Sequence, residues 1–371
     1  MSSVASTCAP KILVMAGGTG GHVFPALAVA KYLADKGWQV RWLGTADRME
    51  ARLVPQHGFD IEYIDIKGVR GNGLIRKLAA PFKIIRSIIQ AKQVIAEFKP
   101  DVVLGMGGFA SGPGGVAAKL SGIPLVLHEQ NAIPGMTNKI LSKMANKVLC
   151  AFPNTFAADV NNVDVVGNPI RQELVALAKH RQANHQDDLK VLVVGGSLGA
   201  KVLNDTMPLA VAQLSQQHSF TVWHQVGKNN LDAVKAAYQA HRQLVAVNVA
   251  EFIDDMEAAY RWADVVVCRS GALTVSELAA VGLPSILVPY PHAVDDHQTI
   301  NASVLVDSGA GVLLPQPELT ADSLASVLGS LAADRDKLAL MGQKANEVAV
   351  VNATESVANV CASFVGKGKN D

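Results

Sequence analysis

The sequence has few cysteines, no long apolar run and almost no net charge, and each of these absences excludes a class of protein. Its four cysteines lie far apart and form no CxxC pair, which argues against a disulfide framework or zinc cluster and favours reduced thiols in a cytosolic protein. No window reaches the roughly 18 unbroken apolar residues of a membrane-spanning helix. The start, MSSVASTCAPK, lacks the pattern of a signal peptide. The net charge of +1 gives no indication of a nucleic-acid partner.

Two familiar nucleotide-binding patterns are also missing. Gly18-Thr19-Gly20 begins a dinucleotide fingerprint, but Val23 stands at its third glycine position, which disfavours an NAD-dependent dehydrogenase. No Walker A loop occurs anywhere in the chain.

One polar loop contains four candidate metal ligands whose spacing matches no familiar metal site: His292, Asp295, Asp296 and His297.

Short apolar runs alternate with helix-like segments along the 371 residues, which are too many for one ordinary core. KILVMA (11–16) precedes an amphipathic helix expected from about Pro25 to Lys36, and the pattern restarts after Gly167 with LKVLVVGG (189–196). Buried β-branched strands separated by helices are typical of parallel sheets. The restart predicts an α/β protein with two Rossmann-like domains, divided near VVGNPIR (165–171).

Glycine-rich loops follow the first strand of each half. VMAGGTGGH (14–22) and VVGGSLGA (193–200) place glycine pairs where a strand turns into a helix, and GMGGFASGPGG (105–115) follows another strand. Such turns present free N–H groups at the positive end of a helix dipole, which suits a phosphate or a sugar. The alternative is that glycine is needed there only for packing. Two loops in register favour a ligand site.

Polar residues follow two further strands. HEQN (128–131) places His128, Glu129 and Asn131 at one strand end, where ligands bind in open α/β sheets. In CRSGALTVSELAAVGLP (268–284), Glu277 has two interpretations. Thr274 and Glu277 match a capping box, whereas a carboxylate there could instead accept from the hydroxyls of a ribose.

The region 67–99 is basic and apolar, with eight basic residues against the single acid Glu97. Its segment GLIRKLAAPF, broken by Pro81, has the pattern of a surface loop more than that of a core helix. One interpretation is docking on an anionic membrane. The other is an ordinary sheet-covering helix with a basic outer face.

Taken together, seven segments resemble the MurG family of bacterial glycosyltransferases. They are GGTGGHVFPALAVA, GMGGFASGPGG, HEQN, VVGNPIR, VVGGSLGA, RSGALTVSEL and PHAVDDHQTINA, in this order. The family adds N-acetylglucosamine to lipid I, the undecaprenyl-pyrophosphate-linked acceptor, and so makes lipid II for peptidoglycan. The resemblance implies the GT-B fold, in which two Rossmann-like domains face a cleft.

The resemblance also implies a division of the chain and a place in the cell. A flexible tail (1–10) precedes an acceptor- and membrane-side domain (11–167), a UDP-sugar-binding domain (168–345) and a C-terminal helix (346–371) that crosses back to the first domain. UDP-N-acetylglucosamine, lipid I and an anionic membrane surface, contacted by 67–99, are the expected partners. The expected location is peripheral, at the cytoplasmic face of the inner membrane.

Roles for individual residues follow from the same resemblance. In similar proteins the second domain holds UDP-N-acetylglucosamine, so that Glu277 takes the ribose, Ile253 meets the uracil and Ser197 binds the diphosphate. Gln298 would contact the sugar, while backbone N–H groups and contacts come from Ala272, Leu273, Thr274, Val275 and Ser276. Further donor-site positions are Thr19, Gly20, Gly21, Asn131 and Arg171. The glycine loops of the first domain would also hold the pyrophosphate and sugar of the acceptor.

The family likeness implies inversion at the sugar, for which a base must take the proton of the acceptor hydroxyl. His22 is the first candidate because an unperturbed imidazole titrates near neutral pH, and Glu129 is the second. The simpler role for His22 is to bind a phosphate or cap its helix. No Asp-x-Asp motif stands in a loop suited to a metal–diphosphate, so no cofactor and no tightly bound metal is expected.

One position departs from the family pattern, because Leu198 stands where glutamine is common. Leucine cannot make the polar side-chain contact to the donor that glutamine offers there, whereas backbone contacts are unaffected. Two rival functions share the same architecture: a UDP-sugar epimerase, and a non-catalytic protein that binds nucleotide sugars at the membrane.

Overall fold

A computed structural model describes residues 9–66, 74–177, 188–196, 198–215, 217–240 and 246–366, with only the backbone described for 74–80. The chain divides into two compact units. The first comprises Met1–Arg171 together with Val351–Asp371, and the second comprises Gln172–Val350. The predicted tail lies largely outside the described residues, as do residues 67–73 of the basic region.

The first unit is built on a seven-stranded parallel sheet with the strand order β3-β2-β1-β4-β5-β6-β7. Its strands are β1 (Lys11–Met15), β2 (Gln39–Gly44), β3 (Asp60–Tyr63), β4 (Val102–Gly105), β5 (Leu125–Glu129), β6 (Lys147–Cys150) and β7 (Val163–Val165). Its first helices are α1 (Gly20–Asp35), α2 (Met49–Gln56), α3 (Leu74–Phe98), α4 (Ser111–Leu120) and α5 (Met136–Leu141).

The second unit repeats this plan with a six-stranded parallel sheet, in the order β10-β9-β8-β11-β12-β13. Its strands are β8 (Leu189–Val194), β9 (Phe220–Gln225), β10 (Ala246–Ala250), β11 (Val265–Cys268), β12 (Ser285–Leu287) and β13 (Gly311–Leu313). Its helices are α6 (Gln172–Leu177), α7 (Lys201–Leu214), α8 (Leu231–Ala240), α9 (Met256–Trp262), α10 (Ala272–Val281), α11 (His297–Asp307), α12 (Ala321–Ala333) and α13 (Arg335–Glu347). The prediction of two Rossmann-like α/β domains is confirmed.

Side chains that alternate along β1 form two cores, one on each face of the first sheet. Ile12 and Val14 pack with α1 on one face, while Leu13 and Met15 pack with α3 and α4 on the other. All four are fully buried, as expected for a central parallel strand covered on both sides. The last helix, α14 (Ala353–Ala362), belongs to the first unit and packs against α1.

Two expectations about helices are wrong. Helix α1 begins at Gly20 rather than near Pro25, because the carbonyl of Thr19 already accepts the N–H groups of His22 and Val23 at 3.1 Å. Helix α3 continues through Pro81 instead of breaking into a loop there. Proline removes one helical hydrogen bond, and the burial of Ala91, Ile95 and Phe98 further along the helix stabilises it. No helix in the described ranges is long and apolar enough to cross a membrane.

The three described cysteines, Cys150, Cys268 and Cys361, are buried and free. Burial raises the pKa of Cys150 to about 11 and the pKa values of Cys268 and Cys361 to about 12. These thiols are therefore protonated at neutral pH and act as small apolar side chains.

Helix α4 packs closely against the sheet and against α5 because it carries glycine at buried positions. A Cβ atom on Gly115 would lie 2.8 Å from Cδ1 of Leu141, whereas one on Gly112 would find its nearest neighbour, Cγ2 of Thr137, at 3.6 Å. We expect Gly115→Ala to lower the free energy of unfolding by about 1–3 kcal/mol through overpacking. Gly112→Ala, the matched control in the same helix, should leave the free energy of unfolding unchanged or raise it by up to about 1 kcal/mol. Urea denaturation measures both, and equal effects would contradict this account.

Candidate active site

In both sheets the strand order reverses at one point, between β1 and β4 in the first unit and between β8 and β11 in the second. At such a point the connections leave toward opposite faces of the sheet and open a crevice at the carboxyl ends of the strands. The described parts of the glycine-rich stretches identified in the sequence lie here: 16–19 and 105–110 in the first unit, and 195–196 and 198–200 in the second.

The two glycine loops of the first unit touch through their backbones. A Cβ atom on Gly108 would lie 2.5 Å from the carbonyl oxygen of Gly17, and Gly108 has φ +90°. A Cβ atom on Gly107, which has φ +98°, would lie 2.9 Å from Nδ1 of His22. Both conformations and both contacts require glycine. Close packing is therefore one reason for these glycines, and it sets the position of His22.

Glu50, in the first turn of α2, fixes the first glycine loop. Its side chain is 1% exposed. One carboxylate oxygen accepts from the N–H of Gly18 at 2.9 Å, and the other accepts from the N–H and hydroxyl of Thr45 at 3.1 and 2.7 Å. Sequence reasoning missed this residue, because its partners are 5 and 32 positions away and follow no motif.

Four of the predicted site residues lie together at the start of α1. Thr19 is the N-cap in an extended conformation, and Gly20, Gly21 and His22 form the first turn. The Thr19 side chain makes no capping bond, and the first turn contains no acidic residue. This helix start thus presents N–H groups and the positive end of the dipole, as an anion site requires.

His22, which is partly buried, begins a hydrogen-bond chain that continues through the buried side chains of the HEQN segment. Its Nδ1 lies 2.6 Å from Oε1 of Gln130, and Nε2 of Gln130 lies 3.0 Å from Nδ1 of His128. Nε2 of His128 donates to the carbonyl oxygen of Gly167 at 2.9 Å. Burial lowers the pKa of His128 to about 4, so this imidazole is neutral at physiological pH.

Glu129, the second candidate base, is 1% exposed and holds the turn that follows β5. Its Oε1 accepts from the backbone and side-chain nitrogens of Asn131 at 3.0 and 3.2 Å. Its Oε2 accepts from the N–H of Gly135 at 3.0 Å and from Nδ2 of Asn138 at 2.9 Å. Both oxygens are thus engaged within the protein, which favours His22 over Glu129 as the group that meets a substrate proton. Asn131 lies in the same turn, and Arg171 lies just before α6.

In the second unit the glycine loop after β8 lies against the loop after β9. Gly199 and Gly227 have φ values of +77° and +80°, and a Cβ atom on Gly199 would collide with the carbonyl oxygen of Val226. Ser197 lies outside the described residues. Leu198 is 82% exposed.

Gln225 connects this loop to the predicted uracil position. Its Nε2 donates to the carbonyl oxygen of Gly196 at 3.0 Å, and its Oε1 accepts from the N–H of Ile253 at 2.9 Å. Gln225 and Ile253 are buried, at 3% and 4% exposure. Gln225 was not predicted, because it ends a strand whose sequence resembles that of the other buried strands.

The start of helix α10 excludes one of the two interpretations of Glu277. The helix begins at Ala272 with Gly271 as its N-cap, so Thr274 lies inside the helix and the capping-box interpretation is wrong. The N–H groups of Ala272, Leu273 and Thr274 stand in the first turn, where no intrahelical acceptor is available. Val275 and Ser276 follow them on the helix.

Glu277 is 6% exposed, and its Oε2 accepts from the hydroxyl of Tyr260 at 3.0 Å. Tyr260 lies on α9 and is itself buried. This bond orients the carboxylate.

Gln298, on the first turn of α11, uses Oε1 to accept from the N–H of Tyr290 at 2.9 Å. Asn301 connects the same helix to the α10 loop, since its Nδ2 donates to the carbonyl oxygen of Ser270 at 3.3 Å.

The structure therefore groups the described candidates within each unit. Around the first crevice lie the α1 start and the HEQN turn, and around the second lie the glycine loop, Ile253 and the α10 start. Among the residues that the structure describes, no group of three or more His, Cys, Asp or Glu side chains is arranged to hold a metal ion.

Comparison with known proteins agrees with this architecture. The glycosyltransferase family 28 N-terminal domain matches residues 12–150, and the family 28 C-terminal domain matches residues 190–357. A relative from Shewanella frigidimarina is 78% identical over 97% of this chain and 98% of its own length. A relative from Shewanella denitrificans is 74% identical, also over 97% of this chain and 98% of its own length. Both are named UDP-N-acetylglucosamine--N-acetylmuramyl-(pentapeptide) pyrophosphoryl-undecaprenol N-acetylglucosamine transferase.

Among solved structures, MurG from Acinetobacter baumannii superposes with a TM-score of 0.83 at 44% identity, covering 95% of this chain and 99% of that one. A putative UDP-N-acetylglucosamine 2-epimerase from Listeria monocytogenes has a TM-score of 0.69 over 97% of this chain and 98% of that one, but at 16% identity it shares the fold alone. The expected GT-B fold class is confirmed. The chain belongs to glycosyltransferase family 28 and, within it, to the MurG family.

Proposed function

We propose that this protein transfers N-acetylglucosamine from UDP-N-acetylglucosamine to the muramic acid 4-hydroxyl of undecaprenyl-pyrophosphoryl-MurNAc-pentapeptide, which gives lipid II and UDP. The observation that carries the proposal is the near full-length identity of 74–78% to relatives named for this transfer. The polar groups at the carboxyl edges of both sheets support it, because they offer a base and two anion-binding helix starts.

The proposed reaction is a single displacement with inversion at the anomeric carbon. The 4-hydroxyl oxygen bonds to that carbon as the bond to the β-phosphate oxygen of UDP breaks. His22 takes the hydroxyl proton on Nε2, the ring nitrogen that does not face Gln130. The negative charge on UDP is stabilised by backbone N–H groups at helix starts, and the proposal includes no tightly bound metal.

Donor binding is assigned to the second unit. The N–H groups at the start of α10 suit the diphosphate, and the carboxylate of Glu277, oriented by Tyr260, suits the ribose hydroxyls. Ile253, which is buried and connected to the glycine loop through Gln225, is assigned to the uracil, and Gln298 lies on the neighbouring helix for the sugar. In the first unit, the start of α1 suits the pyrophosphate of the acceptor.

The transfer is tested by incubating labelled UDP-N-acetylglucosamine with the protein, with and without lipid I. We expect label to move into the lipid fraction only when lipid I is present. Release of UDP without the acceptor would instead indicate an epimerase or a hydrolase. Binding without any release or transfer would indicate a non-catalytic protein.

In the same assay, His22→Ala should lower kcat by about 100- to 10,000-fold, which is the usual contribution of a general base. Binding of UDP-N-acetylglucosamine should survive, because His22 is not one of the expected donor-site positions and the main donor contacts are assigned to the second unit. His57→Ala is the control, since His57 is an exposed histidine on the same unit. Near-normal turnover of His22→Ala would remove His22 from the chemistry.

Glu277→Ala should raise the KM for UDP-N-acetylglucosamine about 10- to 100-fold and leave the KM for lipid I nearly unchanged. The reason is that hydrogen bonds to a carboxylate contribute about 1.5–3 kcal/mol each. Glu257→Ala, which removes an exposed carboxylate paired with Arg261, is the control in the same unit. An unchanged donor KM together with a lowered Tm would assign Glu277 a structural role only.

We also propose that the first unit docks on the anionic cytoplasmic face of the inner membrane through α3. Phe82, Ile85 and Ile89 lie at helical spacing and are 77%, 56% and 52% exposed, and the exposed Lys83 and Arg86 accompany them. Helix α5, which like α3 packs against α4, exposes Met136 and Ile140 as well. Large exposed apolar side chains beside basic ones are typical of surfaces that enter a lipid headgroup layer.

Vesicle co-sedimentation tests the docking. Phe82→Ser combined with Ile85→Ser should weaken binding to phosphatidylglycerol vesicles at least about tenfold, because each buried apolar side chain contributes about 1.5–3 kcal/mol. Leu340→Ser is the control, since Leu340 is 50% exposed on the second unit. Equal loss in both variants, or equal binding to neutral vesicles, would contradict the proposal.

A further inference from the structure

The tautomer of His22 can be read from the backbone carbonyl at the far end of its hydrogen-bond chain. The carbonyl oxygen of Gly167 can only accept, so Nε2 of His128, 2.9 Å away, must carry a hydrogen. His128 is fully buried and neutral, so its other ring nitrogen, Nδ1, carries only a lone pair. The group that faces Nδ1 of His128 must therefore be a donor.

That donor is the side-chain amide of Gln130, whose orientation is fixed twice. Its nitrogen lies 3.0 Å from Nδ1 of His128 and 3.1 Å from the backbone carbonyl oxygen of His128. Both neighbours accept, and an amide nitrogen has two hydrogens, so each hydrogen has one partner. Rotating the amide by 180° would place its oxygen against two acceptors in a site where Gln130 is 1% exposed. The amide oxygen therefore faces His22.

We infer that Gln130 and His128 are positioning residues that hold neutral His22 with its hydrogen on Nδ1 and its lone pair on Nε2. Oε1 of Gln130 lies 2.6 Å from Nδ1 of His22, and an amide oxygen accepts only from a ring N–H. Nε2 of His22 has no hydrogen bond to any residue in the described ranges. The catalytic consequence rests on the proposed function, in which this nitrogen takes the acceptor proton.

The arrangement has a specific chemical value. A neutral histidine in water favours the opposite tautomer, with its hydrogen on Nε2, and in that form Nε2 cannot take a proton. Gln130 reverses this preference without placing a charge beside the ring, unlike the carboxylate that orients the histidine in serine-protease triads. When Nε2 takes the proton of the acceptor hydroxyl, Gln130 continues to accept from Nδ1–H. The proton then leaves from Nε2, and none passes into the buried chain.

Nitrogen-15 NMR of the histidine-labelled full-length protein tests the inference, with His22→Gln identifying the His22 signals. We expect His22 of the unsubstituted protein, at a pH where it is neutral, to show a protonated Nδ1 and an unprotonated Nε2. Gln130→Met keeps the side-chain length but removes donor and acceptor, so the His22 signals should move toward the Nε2–H form. In this variant kcat should fall at least about tenfold, while the KM for UDP-N-acetylglucosamine stays within about twofold.

Gln213→Met is the control, because Gln213 is an exposed glutamine on the second unit, and it should change neither tautomer nor kcat. An Nε2–H tautomer in the unsubstituted protein would overturn the inference, and this measurement does not depend on the folding of any variant. An unchanged tautomer in Gln130→Met would also overturn it. If the tautomer is as expected but His22→Ala retains near-normal turnover, the positioning stands and the proposed role of His22 as base fails.

Discussion

A Cβ atom on Gly108 would lie 2.5 Å from the carbonyl oxygen of Gly17, so the second loop can approach the first only with glycine at this position. This approach brings the loops after β1 and β4 together at the point where the strand order reverses. It places the ring of His22 over Gly107 and within reach of Gln130. Glu50 holds the first loop from the other side through the N–H of Gly18. The polar geometry of this edge therefore depends on a contact between two backbones.

The second unit uses the same strand order but secures its crevice by other means. There an amide, Gln225, bridges the glycine loop and Ile253 by using both its donor and its acceptor ends. A tyrosine hydroxyl orients Glu277, and a buried asparagine connects α11 to the loop before α10. Neutral hydrogen-bonding groups thus hold together the loops and helices around the second crevice.

The sequence predicts the architecture well for two reasons. Buried parallel strands are apolar, β-branched runs that can be recognised in the sequence, and the glycine loop of the first half is repeated in the second. It predicts the first turn of α1 and the continuity of α3 poorly. Proline suggested a boundary in each case. Backbone hydrogen bonds to the carbonyl oxygen of Thr19 in α1, and burial of Ala91, Ile95 and Phe98 in α3, outweighed this local preference. Glu50, Gln130 and Gln225 were missed as site residues for a common reason. Each role depends on a partner that is distant in the sequence, namely Gly18, His22 and Gly196, and single-sequence patterns do not reveal such pairs.

Helix α14 packs against α1, and its Val357, Ala358 and Cys361 belong to the same core as Ile12 and Val14 of β1. The first unit is therefore made from two pieces of chain separated by the whole second unit. During synthesis on a ribosome, Gln172–Val350 are all available before α14 has been made. The unit that is translated first is consequently the one whose core is completed last, and until then the α14-facing side of α1 stays uncovered in the nascent chain.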